Sequence, residues 1–323
     1  MRIVIPDDYQ DCVRRLDCFA KLAGHEVRVF NDSVKDADAL AERFADAEAI
    51  VLTRERTRID AELVARLPRL RIISQTGKLA GHVDLAACTA RGIAVAEGAG
   101  TGSATAELTW ALALASRRHL VDEARRLRAG QWQGHLGQQL GGQRLGVWSY
   151  GRIGRQVAAY GRVFGMRVWV WGREASTAAA RADGFEVAPS REAFFEGSDV
   201  VSLHVRLHAD TVGLVTADDL ARMKPTALLV NTSRAELVAS GALEQALRAG
   251  RPGFAAVDVY EEEPVLGAAH PLLQLPNALC TPHIGYVEKD NFERYFGIAF
   301  DNINAFAAGT LRTLANPEVL AGG

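Results

Sequence analysis

Residues Leu145 to Glu174 read LGVWSYGRIGRQVAAYGRVFGMRVWVWGRE, and few folds accommodate such a stretch. An apolar run, Leu145 to Trp148, leads into a glycine turn from Gly151 to Gly154. Apolar residues then recur at helical spacing (Ile153, Val157, Ala158, Phe164), and a second apolar run, Met166 to Trp171, closes the unit. Strand, turn, helix, strand is a βαβ unit, which requires a parallel sheet. A glycine turn that opens the helix is where such folds hold phosphate. The N–H groups at the helix start face the anion, Gly151 lets backbone approach it, and Gly154 allows close packing of helix on strand. Two positions depart from the G-x-G-x-x-G pattern. Ser149 stands at the first glycine, and Gly172, followed by Arg173, stands where an acidic residue would bind a ribose hydroxyl. On this stretch alone, a plain α/β turn without a ligand remains open.

The chain has room for two domains at 323 residues. Its net charge of −2 offers no basic surface for nucleic acid. No apolar run approaches the roughly 18–20 residues of a transmembrane helix, so no membrane contact is expected. The start, MRIVIPDD, is a strand followed by acid and not a signal peptide. Cys12, Cys18, Cys88 and Cys280 show no CxxC or Cys/His ligand spacing. They read as reduced thiols in a cytoplasmic protein, with no metal site expected.

Short apolar runs at 2–6, 26–30, 49–53, 70–74 and 93–97 read as strands, with helical spacing at 8–22, 36–46 and 60–67 between them. The stretch 101–129 reads as one long helix, with Thr101 or Ser103 as its cap and Gly130 as its stop. Residues 131–143 read as loop. From 144 the alternation restarts. Strands are expected at 145–149, 167–171, 199–203, 226–231, 254–258 and 278–281, and helices at 152–164, 175–183, 190–196, 217–223 and 240–249. A last helix, 287–308, is long enough to return to the first domain. The expected fold class is α/β, with two doubly wound parallel-sheet domains, the first of them discontinuous.

Four further stretches put polar residues just after a buried strand, the position of ligand sites in open α/β sheets. LLVNTSRAELV delivers Arg234, suited to binding a carboxylate with two parallel hydrogen bonds and to polarising a carbonyl. AAVDVYEEEPV carries Asp258 and the acids Glu261, Glu262 and Glu263 before Pro264. LCTPHIGYVE carries His283. IISQTGKLAGHVDLAA places Gly77 and Lys78 between a strand and a helical stretch, able to present N–H groups to a small anion. Each has a plain structural explanation of its own: a surface arginine, a solvated acidic loop, a structural histidine, a simple turn. Taken together, Arg, Glu and His beside a nucleotide turn are the parts for hydride transfer to a 2-oxo acid. The arginine holds the substrate. The histidine gives a proton to the carbonyl oxygen, and a carboxylate paired with it raises the His pKa.

With those residues in place, the chain resembles the D-isomer-specific 2-hydroxyacid dehydrogenases, a family that includes glyoxylate/hydroxypyruvate reductases and phosphoglycerate dehydrogenases. The resemblance rests on HVDLAACTARGIAV, AELTWALALA, LGVWSYGRIG, LLVNTSRAELV, DVYEEEP and TPHIG, in that order along nearly the whole chain. It implies a Rossmann nucleotide-binding domain, 100–285, inserted into a flavodoxin-like substrate domain, 1–99 and 286–323. It also implies Arg234 on substrate, Glu263 as the carboxylate partner and His283 as acid/base. Lys78 and Leu79 align with the loop that holds the substrate carboxylate. Arg152 and Ile153, beside Ser149, Gly151 and Gly154, would lie against the cofactor diphosphate. Val205, Thr232, Ser233 and Gly285 would line the cofactor site, with Asp258 at its nicotinamide end. A homodimer is expected, its contact drawn largely from 100–140. Gly172 leaves nothing to repel a 2′-phosphate and Arg173 can pair with one, so NAD(P) is expected with a lean toward NADP(H). QTGKLAGHVD departs from the family pattern, so the particular acid is not carried over, and Tyr286 stands where a small residue is usual. Two other readings share the fold. One is a nucleotide-sensing interaction protein without turnover, against which the intact Arg/Glu/His set argues. The other is a formate dehydrogenase, in which glutamine would stand in place of Glu263.

Overall fold

A computed structural model describes residues 1–320. The chain divides into two compact units, 1–101 with 288–323, and 102–287.

The first unit carries strands β1 (Arg2–Ile5), β2 (Glu26–Val29), β3 (Ala49–Leu52), β4 (Ile72–Gln75) and β5 (Ala94–Glu97). They form one parallel sheet in the order β2-β1-β3-β4-β5, the doubly wound order of flavodoxin-like folds. β3 and β4 are buried along their whole length, as central strands covered on both faces must be. The Lys289–Ala307 helix completes this unit, with Phe292, Phe296, Phe300 and Ile303 buried. Its return to the first unit is the one expected from its length.

The second unit carries β6 (Arg144–Trp148), β7 (Arg167–Trp171), β8 (Glu186–Val187), β9 (Val200–Leu203), β10 (Leu228–Asn231), β11 (Phe254–Val257) and β12 (Ala278–Cys280). All pairs are parallel, in the order β12-β11-β10-β9-β6-β7-β8. The direction of winding reverses between β6 and β9, which creates the crevice where doubly wound sheets bind ligands. The Ser103–Arg117 and Arg152–Val163 helices belong to this unit, and Trp110 of the former donates its indole N–H to the Val157 carbonyl at 3.2 Å.

Three local expectations are corrected. Residues 8–22 form two 3₁₀ turns, Val13–Arg15 and Asp17–Leu22, and no α-helix. The Asp8 carboxylate accepts the N–H groups of Cys12 and Val13 at 3.1 and 3.0 Å, and Asp11 turns to φ 47°. A side chain that caps backbone donors in this way competes with helix formation. The stretch 101–129 is two helices, Ser103–Arg117 and Leu120–Arg128, broken at His119 with φ 51°. Its cap is neither Thr101 nor Ser103 but Gly102, at φ 81°, a conformation cheap only for glycine. The helix after Gly77 begins only at Leu85, where the Asp84 carboxylate accepts the Ala87 N–H at 2.9 Å. The two-residue β8 is too short to carry a periodic signal and was not expected.

Candidate functional site

The glycine turn follows β6, at the reversal point of the larger sheet. Ser149 adopts φ 78°, in the left-handed region that favours glycine, so a serine sits there at a cost in backbone strain. Its N–H donates to the Trp171 carbonyl at 2.7 Å, which ties the turn to β7. Gly151 caps the Arg152–Val163 helix without a side-chain hydrogen bond, and a Cβ there would meet open space. A Cβ at Gly154 would collide with the Ser149 carbonyl oxygen. An uncapped 12-residue helix opening onto space, with glycine at both demanding positions, fits a diphosphate.

Gly172 and Arg173 follow β7. The Arg173 guanidinium donates toward His208 Nε2 at 3.2 Å. Glu174, the one acid beside Arg173, is instead paired with Arg181 at 3.3 Å. Val205 follows β9, and its carbonyl accepts the Ser233 hydroxyl at 2.7 Å. Thr232 and Thr109 share a hydroxyl hydrogen bond of 2.8 Å, which joins the Ser103–Arg117 helix to the loop after β10. His204, between β9 and Val205, bonds Ser202 Oγ through Nε2 at 2.9 Å. Enclosure by protein pushes its imidazole down to about 3, although part of the residue surface stays accessible.

Arg234 follows β10. Asn231, 2% exposed, donates to the Arg234 carbonyl at 2.8 Å and accepts the Ser233 N–H at 3.0 Å, which holds the loop that carries the arginine. The Arg234 guanidinium itself donates to the Ser233 carbonyl at 2.7 Å.

Asp258 follows β11 and is fully buried. Its carboxylate accepts the Thr281 hydroxyl at 2.6 Å and the N–H groups of Ile284 and Gly285 at 2.8 Å each. Burial pushes this carboxyl up, against the opposing pull of those three donors and of nearby His283. The carboxylate therefore clamps the loop after β12. Between its anchor points sits His283, at φ 50°, a strained backbone conformation of the kind that clusters at functional sites.

Glu263 Oε2 lies 2.6 Å from His283 Nδ1, and Glu263 Oε1 accepts the Tyr260 N–H at 3.0 Å. Tyr260 in turn donates its hydroxyl to the Thr281 carbonyl at 3.0 Å. Tyr286, 7% exposed, stands edge-on to the His283 ring, centroids 5.4 Å apart. Of the three neighbouring acids, Glu263 is the one that meets the histidine, while Glu261 pairs with His270 at 3.1 Å.

Lys78 and Leu79 follow β4 in the first unit. Leu79 N–H and Lys78 Nζ both donate to the Glu97 carboxylate, at 2.8 and 2.7 Å. Glu97, Asp258 in its clamping role, Tyr260, Thr109 and His208 were not singled out by sequence reasoning as parts of the site. Most of their partners lie 18 or more residues away in the chain, and no local pattern marks them. Among the described residues, no group of three or more His, Cys, Asp or Glu is placed to hold a metal, and no helix is long and apolar enough to cross a membrane.

Comparison with known proteins accords with this arrangement. Residues 110–285 match the model of the D-isomer specific 2-hydroxyacid dehydrogenase, NAD binding domain. A glyoxylate reductase of Aeropyrum pernix is 38% identical over 86% of this chain and 85% of its own. A Ralstonia solanacearum structure, solved as a candidate D-3-phosphoglycerate dehydrogenase, is 52% identical with a TM-score of 0.96, covering 99% of this chain and 98% of its own. A phosphoglycerate oxidoreductase of Vibrio cholerae is 51% identical with a TM-score of 0.93, covering 96% of this chain and 99% of its own. With its two parallel sheets, its glycine turn and its Glu–His pair, the chain belongs to the D-isomer-specific 2-hydroxyacid dehydrogenase family, oxidoreductases acting on CH–OH donors.

Proposed function

We propose that the protein is a cytoplasmic, homodimeric reductase of small 2-oxo acids to D-2-hydroxy acids, with NADP(H) preferred over NAD(H). The observation that carries this reading is the 2.6 Å contact between Glu263 and His283 on a loop clamped by Asp258. A carboxylate only accepts, so Nδ1 carries the proton shared with Glu263 and Nε2 faces the chemistry. His283 gives the Nε2 proton to the substrate carbonyl oxygen in reduction and takes it back in oxidation. Arg234 binds the substrate carboxylate and polarises its carbonyl through its planar fork. Lys78 Nζ and the Leu79 N–H, which donate to one carboxylate within the first unit, are suited to bind a substrate carboxylate.

The nicotinamide cofactor, when bound, supplies the hydride. Gly151, Arg152, Ile153 and Gly154, with Ser149, hold its diphosphate, and Val205, Thr232, Ser233, Asp258 and Gly285 line the remainder of its site. Gly172 and Arg173 receive the ribose. NADP(H) preference is supported by Arg173 directed toward His208, with Glu174 turned to Arg181. The homodimer is supported by exposed apolar residues in one stretch, Leu120, Val121, Leu127, Trp132 and Leu136, the last 96% exposed. Four free cysteines accord with a reducing compartment.

The reading is tested by following oxidation of NADPH and NADH with glyoxylate, hydroxypyruvate and related 2-oxo acids. Turnover with a lower KM for NADPH is expected. Cofactor binding without turnover of any 2-oxo acid overturns the activity, and a lower KM for NADH overturns the cofactor preference alone.

A further inference from the structure

β5 ends at Glu97, in register with Gln75 at the end of β4. The two chains stay close after the strands stop. Gly98 N–H donates to the Gly77 carbonyl at 2.9 Å, and a Cβ at Gly98 would lie 2.7 Å from the Gly77 nitrogen. Only a glycine allows this approach, and it presses the end of β5 against the loop that leaves β4. The Glu97 carboxylate is thereby brought to residues 78 and 79. Its Oε1 accepts the Leu79 N–H at 2.8 Å and its Oε2 accepts Lys78 Nζ at 2.7 Å. One backbone donor and one ammonium, each on its own carboxylate oxygen, is a charge-assisted arrangement well suited to a carboxylate. The loop assigned above to the substrate carboxylate is already engaged by one from the chain itself.

We propose that Glu97 is a specificity-determining residue: an internal carboxylate that occupies the 77–79 loop and that a substrate carboxylate must displace. This rests on the assignment of Lys78 and Leu79 to substrate binding. A ligand that binds only the open loop has its apparent affinity reduced by the fraction of molecules in which the loop is open. Acids held strongly by groups outside the loop overcome this competition, and acids that depend on the 77–79 loop for most of their affinity are rejected. The opposite role, a strut that keeps the loop in its binding shape, predicts the opposite sign.

The test uses Glu97→Gln and Glu97→Ala in the full-length enzyme, with glyoxylate and hydroxypyruvate at saturating cofactor. KM is expected to fall about tenfold with kcat within about twofold, because the competitor is removed and the chemistry is untouched. The inhibition constant of oxamate, an unreactive carboxylate analogue, falls in parallel. The KM of methylglyoxal, which lacks a carboxylate, stays constant. An unchanged or raised KM for the acids in both variants overturns the proposal. Should the wild-type protein reduce no 2-oxo acid, the activity proposed above fails. Calorimetric titration of oxamate into the cofactor-bound wild-type and Glu97→Gln proteins then decides this one separately: tighter binding to the variant supports it, and equal or weaker binding overturns it.

Discussion

His283 is held in a backbone conformation that a histidine adopts at a cost, φ 50°. The clamp by Asp258 and the contact with Glu263 over-determine it. The histidine can therefore be changed with little disturbance to its loop. For His283→Asn, turnover is expected to fall at least about 100-fold, the scale of general acid catalysis, with cofactor affinity unchanged by fluorescence titration. Ser149 is strained in the same sense at φ 78°. Ser149→Gly is expected to raise stability by about 1 kcal/mol, read as a shift in the denaturation midpoint. At this scale the meeting of Glu263 with His283 was legible, because strand-end position and the residues flanking them mark them. Glu97 was not, because its importance lies in donors 18 and 19 residues away, which only strand register brings near.

Among the elements, the alternation of strands and helices was legible nearly throughout, because fully buried parallel strands read as continuous apolar runs. One exception comes from a side chain that competes with regular hydrogen bonding. Asp8 does so for residues 8–22. At the other break, Arg117 ends its helix 3% exposed, with its guanidinium bonded to the Thr226 carbonyl at 2.6 Å, to Gln138 Oε1 at 2.9 Å and to the Asp199 carbonyl. Burial pushes this guanidinium down to about 10, with Asp199 opposing. It joins the Ser103–Arg117 helix to the loops that precede β9 and β10. Arg117→Met leaves two carbonyls without this donor and is expected to cost about 2–3 kcal/mol in urea denaturation, with an unchanged slope.

For the whole molecule, two expectations follow. Trp132→Glu combined with Leu136→Glu places charge in the exposed apolar stretch, and sedimentation is expected to show a dimer for the wild-type protein and monomers for the variant. The second concerns acid. His204 has a folded-state pKa below its ordinary 6.5 because burial disfavours its charged form. As pH falls below 6.5 the unfolded chain takes up a proton that the folded chain refuses. Stability therefore declines through that window, by at most about 1.4 kcal/mol per pH unit and less for a residue partly open to water. Thermal midpoints of His204→Gln are expected to fall less steeply between pH 6.5 and the acid limit than those of the wild-type protein.

The amino-acid order alone sufficed for the two α/β units, the glycine turn and the family, since these depend on periodicity and on local motifs of fixed spacing. It did not suffice for how Ser149 keeps its place in the turn, for the clamp of Asp258 on the histidine loop, or for the carboxylate of Glu97 in the 77–79 loop. Each of these is a contact between the ends of neighbouring strands or the loops leaving them. Which strands become neighbours, and in what register, is decided by packing the whole sheet, and from that follows which polar groups meet and which are left to receive a ligand.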